Sequence, residues 1–79
     1  MTEPSPRIVA WTDHASVKAQ MLGVPQADIE DAVLSAHGRR TRNTGAADWL
    51  VLSNRWAIAY NYPTGDEQIA LIVTLWRQG

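Results

Sequence analysis

Neither cysteine nor phenylalanine occurs in this chain. Without cysteine there is no disulfide to staple a small core, and no thiolate to act as nucleophile or metal ligand. Histidine is scarce too. His14 and His37 are the only two, and neither a His-x-His nor a His-x-x-x-His spacing occurs, so no metal site is expected without carboxylate help. Charge of one sign is also missing: seven Lys+Arg against eight Asp+Glu give a formal net charge of −1. Strong non-specific binding to nucleic acid needs a basic excess, so that class is disfavoured, while a local basic patch is not excluded. No apolar run approaches the roughly 20 residues of a membrane span. The opening MTEPSPR has acid and proline where a secretory signal carries basic and apolar blocks. The expectation is a cytoplasmic protein that meets neither membrane nor DNA.

What is present fits one soluble globular domain over residues 1–79, with 46% hydrophobic and 19% charged residues. A domain of this size buries roughly 60–65% of the surface its unfolded chain exposes. The four tryptophans, Trp11, Trp49, Trp56 and Trp76, each bring a large area to bury and are expected to anchor the core.

Met1–Pro6, with two prolines and little apolar content, predicts a disordered arm. Arg7–Trp11 predicts a short strand or an extended lead-in. Thr12 or Asp13 can cap a helix. Ala15, Ala19 and Leu22 then recur at i, i+4, i+7, and Gly23 supplies a stop, so the first helix spans Asp13–Leu22. Pro25 suits the first turn of a second helix, whose apolar positions are Ile29, Ala32, Val33 and Ala36. Asp28, Glu30 and Asp31 crowd its N-terminal half, with His37, Arg39 and Arg40 at its C-terminal end, the order the helix dipole favours. The polar stretch from Arg39 to Ala47 reads as a loop.

From there the period changes to two. Strands are predicted over Asp48–Ser53, Trp56–Tyr62 and Gln68–Arg77. Asn54-Arg55 and Pro63-Thr64-Gly65-Asp66 supply the turns between them. Trp56, Ile58, Tyr60 and Tyr62 share one face of the middle strand, leaving Ala57, Ala59 and Asn61 on the other. The predicted class is α+β: two N-terminal helices packed on a three- to four-stranded antiparallel meander sheet.

Three groups of residues could carry chemistry. His14 and Lys18 are four apart and share a helical face. Histidine exchanges protons near neutral pH, and a nearby ammonium can stabilise developing negative charge. Those two roles are what RNA cleavage requires, although a histidine in a first helical turn is also commonly a surface or capping residue. The second group is His37-Gly38-Arg39-Arg40-Thr41-Arg42. Arg39, Arg40 and Arg42 are three of the seven Lys+Arg, and the planar guanidinium suits bidentate phosphate binding. The same run is equally consistent with a solvated loop that complements the helix dipole. The third group closes the chain: Thr74 and Trp76 point to one face of a strand, and Arg77 follows. An exposed indole there offers a stacking platform for an unpaired base, and a buried one would pack on the first helix.

The order of these motifs is familiar. His14-Ala15, Gly23-Val24, Asp28-Ile29-Glu30-Asp31-Ala32-Val33, Trp49-Leu50-Val51, Ala57-Ile58-Ala59-Tyr60 and Ile72-Val73-Thr74-Leu75-Trp76 together resemble a family of small bacterial and phage domains. In that family the first helix opens with His-Ala and the last strand ends in Val-Thr-aromatic. It is similar to the RelE/ParE toxin-like fold and to the wider group of RNA-cleaving toxins with barnase-like, EndoU-like and colicin D-like domains. The resemblance runs from about Val9 to Arg77 and implies an endoribonuclease. His14 falls on the family's opening histidine, the catalytic base of colicin D-like toxins. Thr74-x-Trp76 is similar to their Ser-x-Trp pair, and Lys18 stands near, though not at, a family lysine.

On this reading His14, Lys18 and Thr74 are catalytic, while Arg39, Arg40, Arg42, Trp76 and Arg77 bind RNA. No cofactor is expected, since RNA carries its own nucleophile in the 2′-hydroxyl. The expected partners are RNA and a small antitoxin that covers the site. Ribosome-dependent members of the group are strongly basic and this chain is not. A second reading from another class is a non-catalytic protein-binding module, an inhibitor or phage accessory protein on the same fold, which suits the low charge and tryptophan-rich composition.

Overall fold

The computed structural model describes residues 5–45, 47–53 and 55–78. Met1–Pro4 of the expected arm and Asn54 of the expected turn lie outside the described residues. Pro6 is buried, and the Arg7 and Ile8 amides both donate to the Gln68 carbonyl.

In chain order the elements are β1 (Ile8–Trp11), α1 (Asp13–Leu22), α2 (Gln26–Ala36), β2 (Thr41–Arg42), β3 (Trp49–Leu52), β4 (Trp56–Asn61) and β5 (Ile69–Arg77). A 3-10 turn over His37–Arg39 follows α2. Thr12 caps α1 by accepting from the Ala15 amide at 3.1 Å. The same hydroxyl donates toward the carbonyls of Ile72 and Val73, so the capping residue also ties the helix to the last strand. Gly23 ends α1 in the left-handed region, at φ +71, a conformation that a side chain at that position would oppose.

The sheet corrects the expected meander. It has five strands in the order β1-β5-β4-β3-β2, and it is mixed. β3, β4 and β5 pair antiparallel, as short connections require. β1 lies on the free side of β5 and runs parallel to it, with Ile8 opposite Ile69 and Trp11 opposite Ile72. The long excursion through α1, α2 and the hairpin makes this possible, because a parallel pair needs a crossover and cannot form from a tight turn. The fifth strand comes from the basic stretch read as loop, where Thr41 and Arg42 pair with Leu50 and Trp49.

Both helices cover one face. Ala15, Ala19, Ile29, Val33 and Ala36 form a single cluster with Val51, Ile58, Tyr60, Ala70, Ile72 and Leu75. Leu22, expected on the buried stripe, is 39% exposed, because the α1 stripe that meets the sheet is Ala15 and Ala19. Trp11, Trp49 and Trp56 pack partly buried against this core, whereas Trp76 is 38% exposed.

A register shift sets the remaining face. Ala59 is opposite Thr74, but Tyr60 is opposite Ile72, so Val73 is an extra residue in β5. A bulge of this kind reverses the alternation beyond it. Ala70 and Ile72 face the helices before it, and Leu75 does so after it, which turns Thr74 and Trp76 outward.

Candidate functional site

His14 occupies the first turn of α1, exposed, where the capping by Thr12 places it beside β5. Its Nε2 lies 3.4 Å from Thr74 Oγ1, across sixty residues of chain, a long hydrogen bond. Lys18 stands one helical turn on and is half-buried. Trp76 follows two residues after Thr74, on the same outward face of β5.

Beside this pair, β4 presents Ala57 and Ala59 outward, each 1% exposed, with Asn61 at its end. Leu50 and Leu52 of β3 stand beyond them, opposite Ala59 and Ala57. Thr74 and Trp76 stand on one side of these alanines and Leu50 and Leu52 on the other, and the taller side chains close over them.

The arginines lie elsewhere. Arg42 is in β2, at the opposite edge of the sheet from β1 and three strands from β5, roughly 14 Å away in the sheet plane. Its guanidinium is 4.7 Å from the Trp49 ring centroid, and that of Arg40 is 4.3 Å from the same ring. Arg40 also donates to the His37 carbonyl. Arg39 lines a groove at the helix side of β3 with Ala32, Ser35, Ala36, Leu52 and Ser53. Arg77 ends β5 opposite Trp56, on the helix-side register. The structure therefore brings His14, Thr74 and Trp76 together, with Lys18 along the helix, and sets Arg39, Arg40 and Arg42 apart from them.

The second histidine is structural. His37 is 4% exposed, its Nδ1 lies 2.6 Å from the Tyr60 hydroxyl, and its ring meets Tyr62 edge-on at 4.8 Å. Burial pushes the Tyr60 hydroxyl up to about 12, with the Arg40 guanidinium pulling the other way and Tyr62 adding to the rise. In the unfolded chain the same hydroxyl ionises near 10. Above that pH the unfolded state releases the proton first, so stability falls as pH rises from about 10 to about 12. Urea denaturation at stepped alkaline pH is expected to show this fall in the wild type. Tyr60→Phe, less stable at neutral pH by about 1 kcal/mol for the lost hydrogen bond, should show a shallower decline.

Leu50, Leu52, Ala57 and Ala59 were absent from the sequence-based candidates. The signal for them was in the alternation. They occupy outward positions of strands whose inward positions are Trp49, Val51, Ile58 and Tyr60, and an antiparallel sheet with a solvated face should be polar there.

Among the described residues, no three His, Asp or Glu side chains gather in a way that could hold a metal ion. No described helix is long and apolar enough to cross a membrane. The chain matches no protein-family model, no curated protein and no solved structure.

Proposed function

We propose that this domain is a RelE/ParE-like endoribonuclease that cleaves single-stranded RNA by acid/base chemistry, acting as the toxin of a toxin–antitoxin pair. The observation that carries the reading is the 3.4 Å approach of the exposed His14 Nε2 to Thr74 Oγ1 on the outward face of β5. Two residues far apart in sequence, both singled out from the residue pattern, meet on a surface that a nucleotide can reach. In the proposed reaction an unpaired base stacks on the exposed Trp76 indole. The His14 imidazole takes the proton of the 2′-hydroxyl, and the 2′-oxygen attacks phosphorus. The P–O5′ bond breaks, leaving a 2′,3′-cyclic phosphate, and the 5′-oxygen takes a proton from water. Lys18 offsets charge developing on the phosphoryl oxygens, and Thr74 orients the imidazole. Arg39, Arg40 and Arg42, at the other edge, hold flanking phosphates of a longer strand rather than the scissile one.

The protein-binding reading is favoured by a different observation. The outward face of the sheet is apolar and partly exposed, with Ile8 at 53% and Leu52 at 56%. Tightly induced expression separates the two. The nuclease reading expects growth arrest by the wild type and relief by His14→Ala at equal abundance. Unimpaired growth with folded wild-type protein would favour the binding module.

A further inference from the structure

The two edges of the sheet differ. The β2 edge is two residues long and carries Arg42, and a short, charged edge strand resists pairing with another chain. The β1 edge has no such guard. Ile8-Val9-Ala10-Trp11 holds neither charge nor proline, and three of its four residues are of the types that favour strands. In a parallel pair, alternate residues bond to the neighbouring strand. The Ile8 and Thr12 amides donate to the Gln68 and Ile72 carbonyls, so Ile8, Ala10 and Thr12 turn their backbone groups to β5. Val9 and Trp11 turn theirs to the open edge. Among the described residues nothing meets these two N–H and two C=O groups.

The strand is also complementary to itself. Set two β1 strands antiparallel about a two-fold axis at Ala10, and Val9 of each copy comes opposite Trp11 of the other. Every edge group of both copies then has a partner. Val9 and Trp11 pack on the helix side, so each pair joins an indole to a β-branched side chain, a favourable cross-strand combination. Ala10 lies on the outward side and meets its own copy at the closely spaced, non-hydrogen-bonded position, where a small side chain fits. Ile8, 53% exposed, comes opposite Thr12. The same register carries Arg7 to Asp13 of the other copy, twice. Both side chains are exposed and their charges are opposite.

We propose that β1 is a dimerisation edge: two copies of this chain pair β1 to β1, antiparallel, and join their five-stranded sheets into one. α1 leaves the Thr12 end of β1 to pack on β5, away from the edge, and so leaves room for the second sheet. Because Val9 and Trp11 share a face across the axis, the helices of both copies cover one side of the joined sheet. The inference uses the sheet edge alone and does not depend on His14 chemistry.

Sedimentation equilibrium of the wild-type full chain, with no RNA present, is expected to show a monomer–dimer equilibrium. Arg7→Glu sets like charges opposite each other twice and is expected to raise the dissociation constant about tenfold. Combining it with Asp13→Arg exchanges the two charges and is expected to bring the constant back to within about threefold of wild type. A second test reads the axis itself. The chain has no cysteine, and Ala10→Cys places two sulfurs where the Cα atoms lie about 4.5 Å apart, within disulfide range. Mild oxidation of the dilute variant is expected to link two copies. Leu52→Cys, exposed and on β3 near the other edge, is expected to stay unlinked. The proposal is overturned by a wild type that remains monomeric up to about 1 mM, or by linking of Leu52→Cys as readily as of Ala10→Cys. It is also overturned if the charge-exchanged variant dimerises no better than Arg7→Glu.

Discussion

On the proposed nuclease reading, replacing His14 with alanine is expected to slow RNA cleavage on the order of 10²–10⁴-fold, the span over which a positioned acid/base group contributes. Folding should not change, since His14 is exposed and, among the described residues, its side chain meets only the Thr74 hydroxyl, at 3.4 Å. Thr74→Ala is expected to cost less, on the order of tenfold, because the imidazole is retained and only its orientation is relaxed. Single-turnover cleavage of a short unstructured RNA by the purified variants measures both. An unchanged rate in His14→Ala, with the same Tm as wild type, would remove this residue from the chemistry and leave the apolar face as the functional surface.

The second large effect is on stability. Ile58 is fully buried at the centre of β4, flanked by Val51 and Leu75 on the helix-side face. Ile58→Ala removes buried methyl and methylene groups and leaves a cavity that close-packed neighbours fill only in part, at a cost of about 2–5 kcal/mol. Domains are stable by only about 5–15 kcal/mol, and a short chain sits toward the low end. The variant is therefore expected to be largely unfolded at moderate urea. Leu52→Ala makes the contrast. It is an apolar truncation on the neighbouring strand, but Leu52 is 56% exposed and faces outward, so the change should stay within about 0.5 kcal/mol. Equal losses from the two would mean that the face assigned outward is buried.

These two residues show how much could be read from the chain. Period-two alternation put Ile58 and Tyr60 on one face, the face the structure buries, and capping chemistry placed α1 over Asp13–Leu22, as observed. The helix–helix–strand order follows from local signals of this kind, because caps, turns and alternation act over a few residues. The parallel pairing of β1 with β5 does not. It joins Ile8–Trp11 to Ile69–Ile72, and no short-range feature of either segment names the other. β2 was hidden for another reason: a two-residue strand in a polar basic run has no alternation to detect.

The site divides in the same way. Thr74 and Trp76 were expected on one face and share one, but the bulge at Val73 chose which. Strict alternation from Ala70 and Ile72 would have turned Thr74 toward the helices and away from any ligand. The approach of His14 to Thr74 links residues sixty apart and could be suggested only by resemblance. The arginines that the sequence groups nearest the second helix fall at the far edge of the sheet, because β2 pairs outside β3. Their clustering in the chain therefore carried no information about their distance from His14.

One measurement tests the nuclease claim most directly. A short single-stranded RNA is incubated with the purified wild-type protein in the presence of a metal chelator, and the products are identified by mass. The same sequence is then tested with 2′-deoxy sugars at the cleaved positions. The account predicts cleavage that persists in chelator, leaves a 2′,3′-cyclic phosphate and stops at the 2′-deoxy positions. An RNA left intact, or cut equally well at a 2′-deoxy position, would contradict it.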